Sequence, residues 1–213
     1  MPPSPSIGSR EMASLRRQPR RDHQASFYYV EPAFQRAAVK VLPGEFFVSG
    51  EDIVLMTTLG SCVAACLQDR GAGVGGINHF MLPDSDGVEG ANGRFGVFAM
   101  ELLINELLKH GARRETIEAK IFGGGQVMKS LASTQIGEKN VAFVEAFLAS
   151  ERIPILARDV LGVYPRKVCM FPGSGKVLCK RLAPANANAL QLQESSYRKQ
   201  LLSSPRSGAI ELF

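Results

Sequence analysis

Residues 57–83 read TTLGSCVAACLQDRGAGVGGINHFMLP, and the fold can be read outward from them. An apolar, β-branched run ends at Thr57 and Thr58. Leu59-Gly60-Ser61 then breaks it, so Cys62 is expected at a turn or strand edge. VAACLQD resumes as a strand, with Val63, Ala65 and Leu67 on one face and Ala64, Cys66 and Gln68 on the other. Gly71, Gly73, Gly75 and Gly76 make a permissive connection. INHFMLP is expected as the next strand, with Ile77, His79 and Met81 sharing one face and Pro83 stopping it. A cysteine and a histidine on neighbouring strands can meet in space while separated in sequence, as a thiol nucleophile and its base require.

Upstream, VKVLPGEFFVSG predicts two short strands around a Pro-Gly turn, and DIVLMTT predicts a buried strand. Downstream, DSDGVEGANGR is a polar, Gly-rich surface loop. Met100, Leu103, Ile104, Leu107 and Leu108 then recur at helical spacing, predicting a helix over 97–110 with Gly111 as its C′ residue. ETIEAKIFGGG predicts a strand entering a glycine turn, where three glycines suit close backbone approach or positive φ beside a site. A second helix is expected over 138–150 with Val141, Val144 and Leu148 inward. RIPILARD predicts a strand, and KVCMFPGSGKVLCKRL a hairpin around Pro172-Gly173-Ser174-Gly175. Neither glycine cluster carries the Gly-Lys-Ser/Thr of a phosphate loop, which argues against nucleotide binding. Short strands with two good helices indicate an α+β fold with sheet layers and the helices on one side.

The chain of 213 residues suits one domain with tails. No apolar run reaches the roughly 18–20 residues of a membrane span, and the Pro- and Ser-rich start is no signal peptide, so a cytoplasmic protein without membrane insertion is expected. The net charge of +5 owes much to Arg10, Arg16, Arg17, Arg20 and Arg21. Such a run reads as a solvated tail, and no recognition element supports nucleic-acid binding. Residues 1–37 are therefore expected as a disordered basic tail, 38–182 as the folded domain, and 183–213 as a mobile extension with helical character near Ala189 to Leu202. Cys62, Cys66, Cys169 and Cys179 are too scattered for a disulfide framework. With no Cys-x-x-Cys pair or zinc-ligand spacing, neither metal nor cofactor is expected.

Among these cysteines Cys62 has the setting of a nucleophile. A thiol of pKa about 8.5 is mostly protonated at neutral pH, and an adjacent imidazole raises its thiolate fraction. Gly60 and Ser61 are small enough for backbone N–H groups to approach a developing oxyanion. His79 is the histidine within the predicted sheet, since His23 lies in the tail and His110 at a helix end. Thr57 or Thr58 could orient its ring, and alternation allows at most one of them to face it. From residue pattern alone, a packed core cysteine and a hydrogen-bonded core histidine remain the alternative.

The elements LGSCVAACLQD, GGINHFMLPD, KIFGGGQVM, IGEKN, IPI and RKVCMFPGSGKVLCKRL, in that order over residues 40–182, resemble the CheD family of chemoreceptor glutamine deamidases. The resemblance implies a three-layer α-β-β sandwich similar to the catalytic domain of the cytotoxic necrotizing factor toxins. It also implies a Cys-His-Thr triad carried over as Cys62, His79 and Thr57, with Thr58 as the substitute. Implied partners are the cytoplasmic helices of methyl-accepting chemotaxis receptors and, in some lineages, a CheC-type phosphatase; the implied state is a monomer. Rival readings are a non-catalytic adaptor for that phosphatase, or another thiol amidase or acyl-transfer enzyme. Asp159 to Pro165 stand where many members have a Gly-Gly turn, so the loop shape there is expected to differ.

Overall fold

The computed structural model describes residues 7–17, 21–82, 91–127, 131–183, 190, 192–197 and 199. Alternating apolar positions sort the strands into two five-stranded sheets. β1 (Phe27–Glu31), β2 (Arg36–Lys40), β4 (Val54–Leu59), β9 (Arg166–Phe171) and β10 (Lys176–Arg181) form one, in the order β1-β2-β4-β9-β10. The other has the order β3-β6-β5-β7-β8 and comprises β3 (Phe46–Ser49), β5 (Val63–Asp69), β6 (Val74–Asn78), β7 (Ile117–Gly123) and β8 (Ile155–Val160). The β2–β4 and β7–β8 pairs are parallel, and the others are antiparallel.

Each β5 face serves a different layer. Val63, Ala65 and Leu67 pack under α2 (Ala91–Lys109) and α3 (Leu131–Ser150), joined there by Met100, Leu103, Ile104, Leu107, Val144 and Leu148. Cys62, Ala64 and Cys66 face the other way, meeting Val39, Leu55, Val168 and Met170 of the opposite sheet. The molecule is thus α+β and layered helix, sheet, sheet, with each fully buried Leu or Ile contributing about 1.5–3 kcal/mol. Among the described residues no helix is long and apolar enough to cross a membrane.

Three expectations need correction. First, the described part of the expected disordered leader carries regular structure: α1 (Ile7–Arg17) buries Leu15, β1 pairs with β2, and Arg21 reaches Glu106 of α2 at 2.7 Å. Arginine density obscured this, because the apolar contacts that anchor the segment are few and widely spaced. Second, Gly75 and Gly76 belong to β6 rather than to the connection before it. A Cβ at either would come within 2.7 Å of a neighbouring backbone oxygen, so glycine lets the layers approach there. His79 consequently lies just beyond the strand end. Third, both helices begin earlier than their apolar stripes, at Ala91 and Leu131; the DSDGVEG part of the expected surface loop lies outside the described residues, and its ANGR part opens α2.

The glycines after β7 hold the Gly60–Cys62 turn. Gly124 N–H donates to the Cys62 carbonyl at 2.8 Å and Gly125 N–H to the Gly60 carbonyl at 2.7 Å. Gly123 and Gly124 have φ of 111° and 66°, and a Cβ on Gly123 would overlap the Cys62 carbonyl oxygen. Nearby, Leu161 and Gly162 are both left-handed, at φ 61° and 72°. The buried Arg166 guanidinium secures them, donating to the Leu161 carbonyl at 2.6 Å and pairing with Asp159. This is how the loop between β8 and β9 is held.

Gly123→Ala should therefore lower stability by about 3 kcal/mol or more, through both φ strain and overlap with backbone. Gly73→Ala, at φ 64° with nothing near its Cβ, should cost about 1 kcal/mol. Thermal melts of the two variants provide the comparison; equal losses would remove the special role of Gly123. A further prediction concerns acid. The Asp69 carboxyl is held down at about 2, first by the Thr116 hydroxyl and then by the Arg113, Ala72 and Gly71 N–H groups. A depressed carboxyl stabilises fully above its unfolded value of about 4, and that contribution is lost as pH falls towards 2. Asp69→Asn should lower stability at pH 7 by about 2 kcal/mol and flatten this acid limb in denaturant titrations.

Candidate active site

β4 carries Thr57 and Thr58 to the end of one sheet, and β6 delivers His79 to the adjoining end of the other. Alternation turns Thr57 inward, where it is buried, while Thr58 is half-buried. The Thr57 hydroxyl lies 2.8 Å from His79 Nδ1 and donates to the Val41 carbonyl at 2.8 Å. One hydroxyl has one proton. With that proton committed to Val41, Thr57 Oγ1 must accept from Nδ1–H, which leaves the neutral ring's lone pair on Nε2.

Nε2 is buried and has no hydrogen-bond partner among the described residues. Such a group is a sign of chemistry rather than packing, because burial without a partner is unfavourable. Cys62 Sγ, a ring nitrogen of His79 and a carboxylate oxygen of Glu194 all lie within 4.8 Å of one another. Burial disfavours the charged form of both Cys62 and His79. It pushes the Cys62 thiol well up, an effect reinforced by the Glu194 charge and hydrogen bond. It brings the His79 imidazole down to about 4 despite the opposing pull of Glu194.

The Gly60–Cys62 turn presents its donors to one spot. Glu194 Oε1 accepts from Gly60 N–H at 2.8 Å and Cys62 N–H at 3.3 Å. Oε2 accepts from Ser61 N–H at 3.1 Å and the Ser61 hydroxyl at 2.8 Å. The expected oxyanion residues thus line a pocket of donors with a carboxylate in it. Gly60 is required for this approach, since a Cβ there would stand 2.9 Å from both Glu194 oxygens. A cleft of about 190 Å³ opens beside it, with Lys40, Leu42, Thr57, His79, Leu190 and Gln193 in its walls.

Two contributors escaped the sequence reading. Asn140, fully buried in α3, donates to the Ser61 carbonyl at 2.9 Å and accepts from Leu82 N–H at 2.8 Å, tying the cysteine turn to the segment after His79. Its signal was a polar residue four positions before Val144, on the helix's apolar stripe. Glu194 had no comparable signal, because the expected mobile extension gave no reason to place it. Cys62, His79 and Glu194 are the described residues that could together hold a metal ion, a set that ligand spacing could not reveal. Both Glu194 oxygens are already engaged by donors of the Gly60–Cys62 turn.

Residues 81–181 match the family described as CheD chemotactic sensory transduction. "Probable chemoreceptor glutamine deamidase CheD 1" of Albidiferax ferrireducens is 52% identical over 200 residues, covering 93% of this chain and 85% of that protein. "Probable chemoreceptor glutamine deamidase CheD" of Janthinobacterium sp. (strain Marseille) is 50% identical over 197 residues, covering 91% and 97%. Among solved structures, the Bacillus licheniformis hypothetical protein YfiH is similar at a TM-score of 0.36 and 13% identity, over 55% of this chain and 49% of that one. Half-identity across nearly the whole of both chains leaves one conclusion, that the chain belongs to the CheD family.

Proposed function

We propose that this chain is a chemoreceptor glutamine deamidase, hydrolysing the side-chain amide of receptor glutamines to glutamate with release of ammonia. The observation that carries the proposal is the Thr57–His79 hydrogen bond, which turns the Nε2 lone pair free beside a thiol next to three convergent N–H donors. Family relatives bear the activity in their names.

The reaction runs on groups of the chain itself. His79 Nε2 takes the Cys62 proton, and the thiolate attacks the γ-carboxamide carbon of a bound glutamine. The carbonyl oxygen becomes an oxyanion held by Gly60, Ser61 and Cys62 N–H groups, placed where Glu194 oxygens now sit. The C–N bond breaks as His79 returns its proton to nitrogen, giving ammonia and a thioester. Water, deprotonated by the same imidazole, then cleaves the C–S bond, leaving glutamate and the free thiol. Thr57 holds the ring in the tautomer both half-reactions need.

In this reading residues 38–182 form the catalytic unit, buttressed by α1 and β1. Its helix–sheet–sheet layering suits the resemblance to the cytotoxic necrotizing factor catalytic domain. The substrate is a glutamine on an exposed cytoplasmic receptor helix, met by a monomeric enzyme in the cytoplasm. Lineages with a CheC-type phosphatase would present it to the same surface. Each turnover places a carboxylate where a neutral amide stood, changing the charge of the receptor helix.

Incubating a receptor cytoplasmic fragment with the chain and mapping glutamine-to-glutamate conversion by mass spectrometry tests the proposal. Cys62→Ala and His79→Ala should each abolish turnover, by at least about a hundredfold for the base. Conversion persisting in Cys62→Ala would refute the nucleophile, and binding of the phosphatase without conversion by wild type would favour the adaptor reading. Thr57→Ala should lower kcat by roughly tenfold or more, through loss of one hydrogen bond to a reacting ring, while Thr58→Ala leaves it near wild type. The reverse order would reassign the orienting hydroxyl.

A further inference from the structure

The pocket that would hold the oxyanion is already filled by the chain's own side chain. Residues 190, 192–197 and 199 are helical, and one face of this segment is set into the molecule. Leu190 and Glu194 are buried, whereas Leu192 on the other face is 75% exposed. Tyr197, three positions beyond Glu194, packs into the layer between the sheets and lies so close to Gly44 that a Cβ there would come within 2.7 Å of its ring. Leu190, Glu194 and Tyr197 thus follow i, i+4, i+7 spacing, the pattern of a helix laid into a groove.

The chemistry of the contact is specific. The pocket offers Glu194 three N–H groups and a hydroxyl, all donating. Donors alone suit a carboxylate or an oxyanion. Glutamate is the side chain that deamidation of glutamine produces. Resting on the deamidase reading, we infer that Glu194 is a tethered product mimic, and that the helix carrying it gates the active site by occupying the substrate helix's place.

Three consequences follow from the contact. Glu194 covers Cys62 and adds a negative charge beside it, so the docked helix opposes thiolate formation as well as access. Because the inhibitor is covalently attached, it competes at an effective concentration on the order of millimolar, which a receptor helix must exceed or displace cooperatively. Leu190, Gln193 and Glu194 also indicate how a substrate helix lies: one turn before the reacting glutamine, an apolar residue should fill the Leu190 position.

The test uses the full chain and separates this inference from the deamidase reading. Cys62 alkylation near pH 7 requires no substrate. Glu194→Ala should raise its rate roughly tenfold or more, as expected for losing charge-assisted bonds and an adjacent charge. Leu190→Asp, which dislodges the helix while leaving Glu194 in the chain, should do the same. Receptor-fragment turnover should rise in parallel, mainly through a lower KM.

Glu194→Gln supplies the sharpest arm. The introduced amide would stand in the donor pocket beside Cys62 and should be hydrolysed in cis, appearing as glutamate in the mass spectrum independently of protein concentration. Adding Cys62→Ala should preserve the amide. Equal alkylation and equal turnover across wild type, Glu194→Ala and Leu190→Asp would overturn the gate. An intact amide in Glu194→Gln, in a protein that converts receptor, would overturn the product-mimic assignment. Faster alkylation of the variants with no receptor conversion by any of them would keep the gate and refute the deamidase reading.

Discussion

The hydroxyl of Thr57 is the joint on which the site turns. It belongs to β4 of one sheet, donates to the carbonyl of Val41 beyond β2, and accepts from a histidine just past β6 of the other sheet. Its single proton settles the imidazole tautomer, and a short buried bond between sheets sets the ring's orientation. Burial strengthens the arrangement, because in a low-dielectric layer the alternative to these bonds is an unsatisfied polar group. Everything else at the site supports this joint or completes it: Asn140 pins the loop, and Gly123–Gly125 hold the cysteine turn from below.

Chemistry and stability make different demands on that turn. Its donors point into one pocket, and its carbonyls are taken up by Gly124, Gly125 and Asn140. The pocket therefore exists before any substrate arrives, as electrostatic stabilisation of an oxyanion requires. A preformed ring of donors in a dry site is itself unfavourable when empty. The Glu194 carboxylate relieves that by accepting four hydrogen bonds. The same turn thus creates an attractive seat for the chain's own acid.

Much of the architecture was legible in residue periodicity. The two faces of β5, the inward stripes of α2 and α3, the β9–β10 hairpin and the strand leading to Gly123 follow from spacing, because each depends on local alternation against a broad apolar layer. The failures have a common physical source. Gly75 and Gly76 read as a loop because glycine's strand role there comes from the closeness of other layers, which local sequence does not carry. The arginine-rich leader read as free because α1 and β1 are held by a few contacts, such as Leu15 and Arg21, with partners far along the chain.

By itself, then, the sequence determined an α+β domain with a cysteine at a turn and a histidine near it, together with a family resemblance that extended across the domain. Thr57 and Thr58 are adjacent and chemically identical, so only the direction of the β4 pleat beside Val41 decides which one meets His79. Glu194 lies 132 positions from Cys62. No pattern in the intervening residues announces that it closes over the thiol. Long-range contacts of this kind arise from how layers and helices pack, and tertiary structure alone brings Glu194 to the N–H donors of the Gly60–Cys62 turn.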